Sequence, residues 1–268
     1  LADTLREAFR IAKSGRPGPV LVDVPKDVQV SSCDFENAVI APPFESPKAD
    51  SEDIKKAAEM IAASNKPYIY CGGGVISSGA SREVIDFAEL IDAPIGCSMM
   101  GVSAVPTSNK RFLGMQGMHG HYASSMAQAE ADLVIAIGAR FSDRATGNKD
   151  VYVRNCNILH IDVDAAEIDK NITTQLGING DVKETLRKLI SAVSPANHPA
   201  WNAEIDKFKE KEASFEPKSD IMTPYDVIDT VNAKMPEDAV IATDVGQHQM
   251  WVAQRYRFEK PRTFVSSG

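Results

Sequence analysis

The chain has 268 residues, of which 43% are hydrophobic and 25% charged, and a formal net charge of −8. That balance is the one of a globular protein able to bury a core, while the acidic excess argues against general affinity for nucleic acid or anionic membrane, both of which reward a basic face. The longest apolar runs, such as residues 133–139, fall short of the ~20 residues that a membrane span needs and no secretory leader opens the chain, so a soluble, cytoplasmic protein is expected.

Domains usually run to ~100–200 residues, so this length predicts one complete domain with flanking pieces, or two. The chain begins at Leu1 and stops at Gly268 just after an apolar run, and both ends read as cut. The expectation is part of a longer polypeptide.

Residues 1–14 carry helical spacing at Leu5, Ala8, Phe9 and Ala12, and the Gly15-Arg-Pro-Gly18 run stops it. Residues 19–24 read as a short buried strand. A helix and a strand of this kind form the tail of an α/β unit, so residues 1–29 are assigned to the end of one domain. Residues 30–50 read as a linker marked by Pro42, Pro43 and Pro47. Ser51 reads as the N-cap of a helix over 52–63 with Ile54, Ala57, Ala58 and Ile61 on one face.

From there strands and helices alternate. Strand 68–71 leads through Gly72-Gly-Gly74 to helix 81–91 and strand 94–97. A long loop, 98–121, precedes helix 122–131 and strand 133–138; strand 158–163, helix 165–170, strand 176–179 and helix 182–193 complete a central domain over 51–194. Continuous apolar strands separated by helices predict an α/β fold, a parallel sheet flanked by helices on both faces. Residues 195–222 read as a second linker, with Pro195, Pro199 and Pro217 around a charged helical piece at 201–213. Residues 223–268 start a further α/β unit: helix 224–234, strand 239–243, the polar segment Asp244-Val-Gly-Gln-His-Gln-Met-Trp251, helix 251–256 and strand 263–265. Cys33, Cys71, Cys97 and Cys156 are dispersed without a CxxC pair and read as buried reduced thiols.

In a parallel sheet, ligands sit beyond the carboxyl ends of the strands. Loops of suitable chemistry occur there: Gly72-Gly-Gly74, which lets a backbone approach a ligand; Gly138-Ala-Arg-Phe-Ser-Asp-Arg144, which supplies two cations and a carboxylate; and Ile161-Asp-Val-Asp164, whose carboxylates could accept from ribose hydroxyls. Together they point to a dinucleotide cleft, although the fingerprint G-x-G-x-x-G is broken by Ser77. His119 and His121 lack a Cys or carboxylate at zinc spacing, and no metal site is expected; with Gly117 and Gly120 they suit the wall of a ligand loop. The segment 244–251 follows a strand and opens a helix, so amides near Gly246 with Gln247 and His248 can meet an anion.

At this point the blocks GRPGPVLVDVPKDVQ (15–29), GMHG (117–120), GARFSDRATGN (138–148), HIDVD (160–164) and DVGQHQMW (244–251) resemble, in order, the catalytic large subunit of acetolactate synthase. The resemblance implies a thiamine-diphosphate-dependent transferase of three α/β domains that decarboxylates pyruvate and ligates the two-carbon unit to a second 2-oxo acid in branched-chain amino acid biosynthesis. Residues 1–29 would end the pyrimidine-binding domain, 51–194 would be the central FAD-binding domain, and 223–268 would begin the thiamine-diphosphate-binding domain. Carried over by motif, the FAD contacts would be Gly72, Gly73, Gly74, Ser98, Met99, Gly117, Met118, His119, Gly138, Ala139, Arg140, Asp143, Arg144, Asp162, Val163, Glu167, Asp181 and Val182. Gly246, Gln247 and His248 would hold thiamine diphosphate. The resemblance also implies Mg2+ with the diphosphate, a homo-oligomer and a regulatory small subunit. It places no catalytic residue within this chain, which is expected to be inactive alone. Rival readings are another carboligase of the superfamily, such as glyoxylate carboligase, and a stand-alone nucleotide-binding module.

Overall fold

The computed structural model describes residues 1–34, 45–215 and 220–267. The expected linker prolines Pro42, Pro43 and Pro217 lie outside them, as does Gly268. The chain divides into two compact units, Leu1–Pro47 and Lys48–Gly268.

The first unit contains helices α1 (Ala2–Lys13) and α2 (Lys26–Val30). Pairs spaced three residues apart, Arg6 with Asp3 and Arg10 with Glu7, brace the exposed surface of α1. The strand expected at 19–24 does not form among the described residues: the segment is extended but joins no ladder, and Leu21 is 89% exposed. β-propensity alone cannot hold a strand that lacks a neighbour to pair with.

The second unit begins with α3 (Ser51–Ala63), whose N-cap is Asp50 rather than Ser51, because the Asp50 carboxylate accepts the Glu52 amide at 2.7 Å. There follow β1 (Pro67–Cys71), α4 (Gly73–Ser77), α5 (Ser81–Leu90), β2 (Ile95–Cys97), β3 (Phe112–Met115), α6 (Tyr122–Glu130) and β4 (Leu133–Ile137). Next come α7 (Asp143–Thr146), α8 (Lys149–Tyr152), β5 (Asn157–Asp162), β6 (Leu176–Asn179), α9 (Val182–Ala192) and α10 (Pro199–Ala213). The last elements are α11 (Pro224–Asn232), β7 (Ile241–Ala242), α12 (Gln247–Arg255) and β8 (Phe264–Val265).

β1 to β6 form one six-stranded sheet in the order β3-β2-β1-β4-β5-β6, and every neighbouring pair is parallel. β3 lies inside the stretch expected to be a loop. The expected flanked parallel sheet is thus present, and its strands are buried on both sides as such sheets require. Side chains alternate between the faces: Ile69, Ile135 and Leu159 pack with Ile54, Phe87 and Leu186, while Tyr70, Val134 and Ile158 pack with Ala127, Tyr152 and Trp201. One face is therefore covered by α3, α5 and α9, the other by α6, α8 and α10. Each fully buried Ile or Leu contributes roughly 1.5–3 kcal/mol by leaving water.

The amino edge of the sheet is tied by carboxylates. Asp132, just before β4, accepts the amides of Asn65 at 2.8 Å and Lys66 at 3.1 Å as well as the Ser64 hydroxyl. Asp92, before β2, accepts the His198 amide at 2.6 Å and the Asn202 side-chain amide at 2.8 Å, and pairs with Arg111 at 2.7 Å. α10 is thus anchored to the sheet although it lies in the segment read as a linker. β7 and β8 make a separate two-stranded parallel pair. No helix among the described residues is long and apolar enough to cross a membrane.

Candidate functional site

Parallel strands deliver all their outgoing loops to one edge, where the sheet order reverses around β1 and β4. The residues that the resemblance assigns to FAD all occupy that edge. Gly72, Gly73 and Gly74 follow β1, Ser98 and Met99 follow β2, and Gly117, Met118 and His119 follow β3. Gly138, Ala139, Arg140, Asp143 and Arg144 follow β4, Asp162 ends β5 with Val163 and Glu167 behind it, and Asp181 and Val182 follow β6.

The loops after β1 and β4 are bonded to each other. The Gly72 amide donates to the Ile137 carbonyl and the Gly74 amide to the Gly138 carbonyl, each at 2.9 Å. A Cβ on Gly72 would lie 2.0 Å from the Gly138 oxygen, and one on Gly74 2.6 Å from the Gly138 Cα. Glycine at these positions is demanded first by loop-to-loop contact, and Gly72 is buried, whereas Gly73 and Gly74 remain partly open to solvent. The β3 loop joins the same structure: Gly117 turns with φ +99°, and the Met118 amide donates to the Arg144 carbonyl at 2.9 Å. The glycine loop and the arginine loop are therefore one bonded ridge, from which Met118, Arg140 and Arg144 project into solvent.

Side chains alternate along the β4 loop, with Ala139 and Phe141 buried and Arg140 and Ser142 exposed. Beneath them lies His160, fully buried in β5, a residue to which the sequence reading gave no role. Its Nε2 donates to the Ala139 carbonyl at 3.0 Å, which fixes the proton on Nε2, and Phe141 packs edge-on against the ring at 5.1 Å. Nδ1 has no hydrogen-bond partner among the described residues. The strand pattern held a signal for it, since a histidine interrupts an otherwise apolar run.

Burial holds the His160 pKa below its ordinary value, and burial likewise raises that of Asp162, two residues on. The consequences have opposite signs. Unfolded His160 takes up a proton near pH 6.5 whereas the native ring resists it, so stability is lost as pH falls below 6.5. Native Asp162 holds its proton to higher pH than the unfolded carboxyl, so its contribution grows as pH falls toward the ordinary carboxylate range. The histidine contribution falls in the window from pH 7 to about 5.5, around its ordinary value of 6.5. Urea unfolding should therefore show stability declining in that window by up to about 1.4 kcal/mol per pH unit, and His160→Gln should flatten the decline. An unchanged slope in the variant would assign the titration elsewhere.

Other candidates are engaged in the fold. Glu167 is 8% exposed and pairs with Lys170 at 2.8 Å. Asp181 caps α9 by accepting the Glu184 amide at 3.0 Å, and Val182 is buried. Cys71 and Cys97, the terminal residues of β1 and β2, are buried thiols, and burial pushes Cys71 up to about 12. Cys156 is also buried, whereas Cys33 is exposed, contrary to expectation. No group of three or more His, Cys, Asp or Glu among the described residues is arranged to hold a metal ion.

The helix expected from residue 251 begins earlier, at Gln247, with Gly246 as N-cap. Gln247 and His248 thus form its exposed first turn, while Gln249 is buried and donates to the Ser267 carbonyl at 2.8 Å. Further along α12, Gln254 donates through Nε2 to the His119 carbonyl at 2.6 Å. That bond ties α12 to the glycine loop, a link the sequence reading missed.

Comparison with known proteins adds ancestry to this geometry. Residues 54–189, from α3 through most of α9, match the family described as thiamine pyrophosphate enzyme, central domain. The chain is 39% identical along its whole length to the probable acetolactate synthase large subunit of Methanocaldococcus jannaschii, covering 48% of that protein. It is 36% identical to the acetolactate synthase large subunit of Haemophilus influenzae and 35% identical to the isozyme 3 large subunit of Escherichia coli, each over the whole chain and 49% of the relative. The chain therefore spans about half the length of the curated relatives it matches. With more than half of its residues inside the matching region, the chain belongs to the thiamine pyrophosphate enzyme family and carries that family's central domain.

Proposed function

We propose that this chain is part of the large subunit of an acetolactate synthase, an enzyme that decarboxylates pyruvate and joins the two-carbon unit to a second 2-oxo acid, and that the carboxyl edge of its central sheet binds FAD. The observation that carries the FAD reading is the bonded ridge of Gly117, Met118 and the β4 loop, with Arg140 and Arg144 projecting from it. Guanidinium groups match a diphosphate or a ring carbonyl, and partly open glycines let a planar ring approach the backbone. Asp162 and Val163, at the end of β5, suit ribose hydroxyls. Gly72, Ala139 and Val182 are buried, so they support the site through their backbones.

The exposed first turn of α12 fits the other cofactor. Gly246, Gln247 and His248 present free amides and the positive end of a nine-residue helix, which suit a diphosphate. Thiamine diphosphate, when bound, supplies a nucleophilic carbon and an electron sink for loss of carbon dioxide from a 2-oxo acid. In this reading Gln247 and His248 orient the diphosphate, and Mg2+ accompanies it with no ligand assigned to this chain. A cytoplasmic homo-oligomer with a regulatory small subunit belongs to the same proposal, as does inactivity of the 268-residue chain by itself.

Titrating the chain into FAD should quench flavin fluorescence saturably. Arg140→Ala combined with Arg144→Ala should weaken binding roughly tenfold to a hundredfold while leaving the far-UV spectrum intact. Flavin that stays unquenched at about 100 μM chain would remove the FAD reading. The wider reading is tested by acetolactate formation from pyruvate in the full-length protein.

A further inference from the structure

Behind the glycine loop, α6, α10 and α12 border two adjoining cavities of about 330 and 390 Å3 that share His121, Glu212, Ala213 and Gln254. Neither cavity takes in the residues assigned to the cofactors. The inner one has a largely apolar wall: Val102, Phe112, Leu113, Ala253, Tyr256 and Phe258.

The charges around it are matched. Glu212 accepts from His121 Nδ1 at 2.7 Å and from the Ala123 amide at 2.8 Å, which offset the burial that would otherwise raise its pKa and hold it below the usual carboxylate range. Lys209 donates to the Lys110 carbonyl at 3.1 Å and lies 3.8 Å from Asp206. Gln254 gives its Nε2 to His119 and receives the Tyr225 hydroxyl at 3.2 Å on Oε1. A charged ligand would have to break one of these pairings. Ser103 differs: it is 2% exposed, it holds the left-handed conformation at φ +70° that ordinary residues avoid, and its buried Oγ has no hydrogen-bond partner among the described residues. A hydroxyl in that state is unfavourable, and Ser103 is one of the residues that line the cavity.

We propose that the inner cavity is a binding site for a neutral, mainly apolar small molecule with one hydrogen-bonding oxygen, seated on Phe112, Ala253 and Phe258 and bonded to Ser103. The volume lies at the lower end of ordinary small-molecule pockets, which selects a single-ring ligand. The site stands apart from the FAD reading, because it shares no lining residue with the cofactor assignments. It adjoins them mechanically, since Gln254 and His121 hold the far side of the loop that carries Gly117 to His119.

Phenol and toluene, alike in shape but differing in the hydroxyl, are the probes, and their dissociation constants for the 268-residue chain can be read by NMR titration. Phenol should bind at least about fivefold more tightly than toluene. Ser103→Ala should erase most of that preference while leaving toluene unchanged. Ala253→Leu, which fills the cavity, should weaken both ligands by roughly tenfold. Absence of phenol binding, equal affinity for the two probes, or a preference that survives Ser103→Ala would each overturn the proposal. So would undiminished binding to folded Ala253→Leu protein; if that variant does not fold, the Ser103→Ala comparison decides.

Discussion

Gly72→Ala is expected to lower the stability of the central domain by about 3 kcal/mol or more, measured by urea unfolding. The reason is not conformational, for Gly72 has φ −108° and ψ −174°, which alanine adopts freely. It is that the added methyl carbon would fall 2.0 Å from the Gly138 oxygen and 2.4 Å from the Ala139 Cα, both backbone atoms that no rotamer change can move. Relief requires parting the loops after β1 and β4, which breaks the hydrogen bonds donated by the Gly72 and Gly74 amides together and displaces Arg140. If the proposed FAD reading holds, the variant should lose flavin quenching as well as stability. Gly79→Ala supplies the contrast: Gly79 has φ +65° but a Cβ there would meet nothing within 4 Å, so its cost should be about 1 kcal/mol. Similar losses at the two glycines would show that packing at Gly72 is not the controlling term.

Trp201→Ala should cost about 3–5 kcal/mol, with unfolding midpoints as the readout. The indole is 2% exposed, packs edge-on to Phe208 at 6.5 Å, and lies under the Lys66 ammonium at 5.2 Å. Its Nε1 donates to the Pro67 carbonyl at 3.0 Å, at the first residue of β1. Truncation leaves both a large void and an unpaired carbonyl at the start of a central strand. Trp201→Phe should recover about half of the loss by refilling the void without the hydrogen bond. If the alanine variant unfolds within about 1 kcal/mol of the parent, α10 is a linker after all rather than a layer of the fold.

Most of the sheet was legible because a parallel strand is buried on both faces and writes itself as a continuous apolar run; Leu133 to Ile137 is the clearest case. β3 escaped notice for the complementary reason. Phe-Leu-Gly-Met is short, carries a glycine at φ +81°, and sits at the sheet edge beside β2 alone. The opposite error, at residues 19–24, came from reading β-propensity where pairing decides. Near the six-stranded sheet, order along the chain and strand direction together put the candidates named for FAD in the loops after the strands. They could not show that Gly72 meets Gly138, or that His160 holds Ala139, because contacts between segments that distant in sequence exist only once the sheet has formed.

The two edges of the sheet are built on different terms. At the amino edge, the half-buried Asp132 and the buried Asp92 and Trp201 each grip backbone groups through their side chains. At the carboxyl edge the Gly72, Gly74 and Met118 contacts run from backbone to backbone, while the side chains of Arg140, Arg144 and Met118 are exposed. Main-chain contacts thus set the shape of this edge, while its exposed side chains set the surface it offers. Substitution of Arg140 or Arg144 would therefore change the charge presented at the carboxyl edge while the platform beneath it kept its shape.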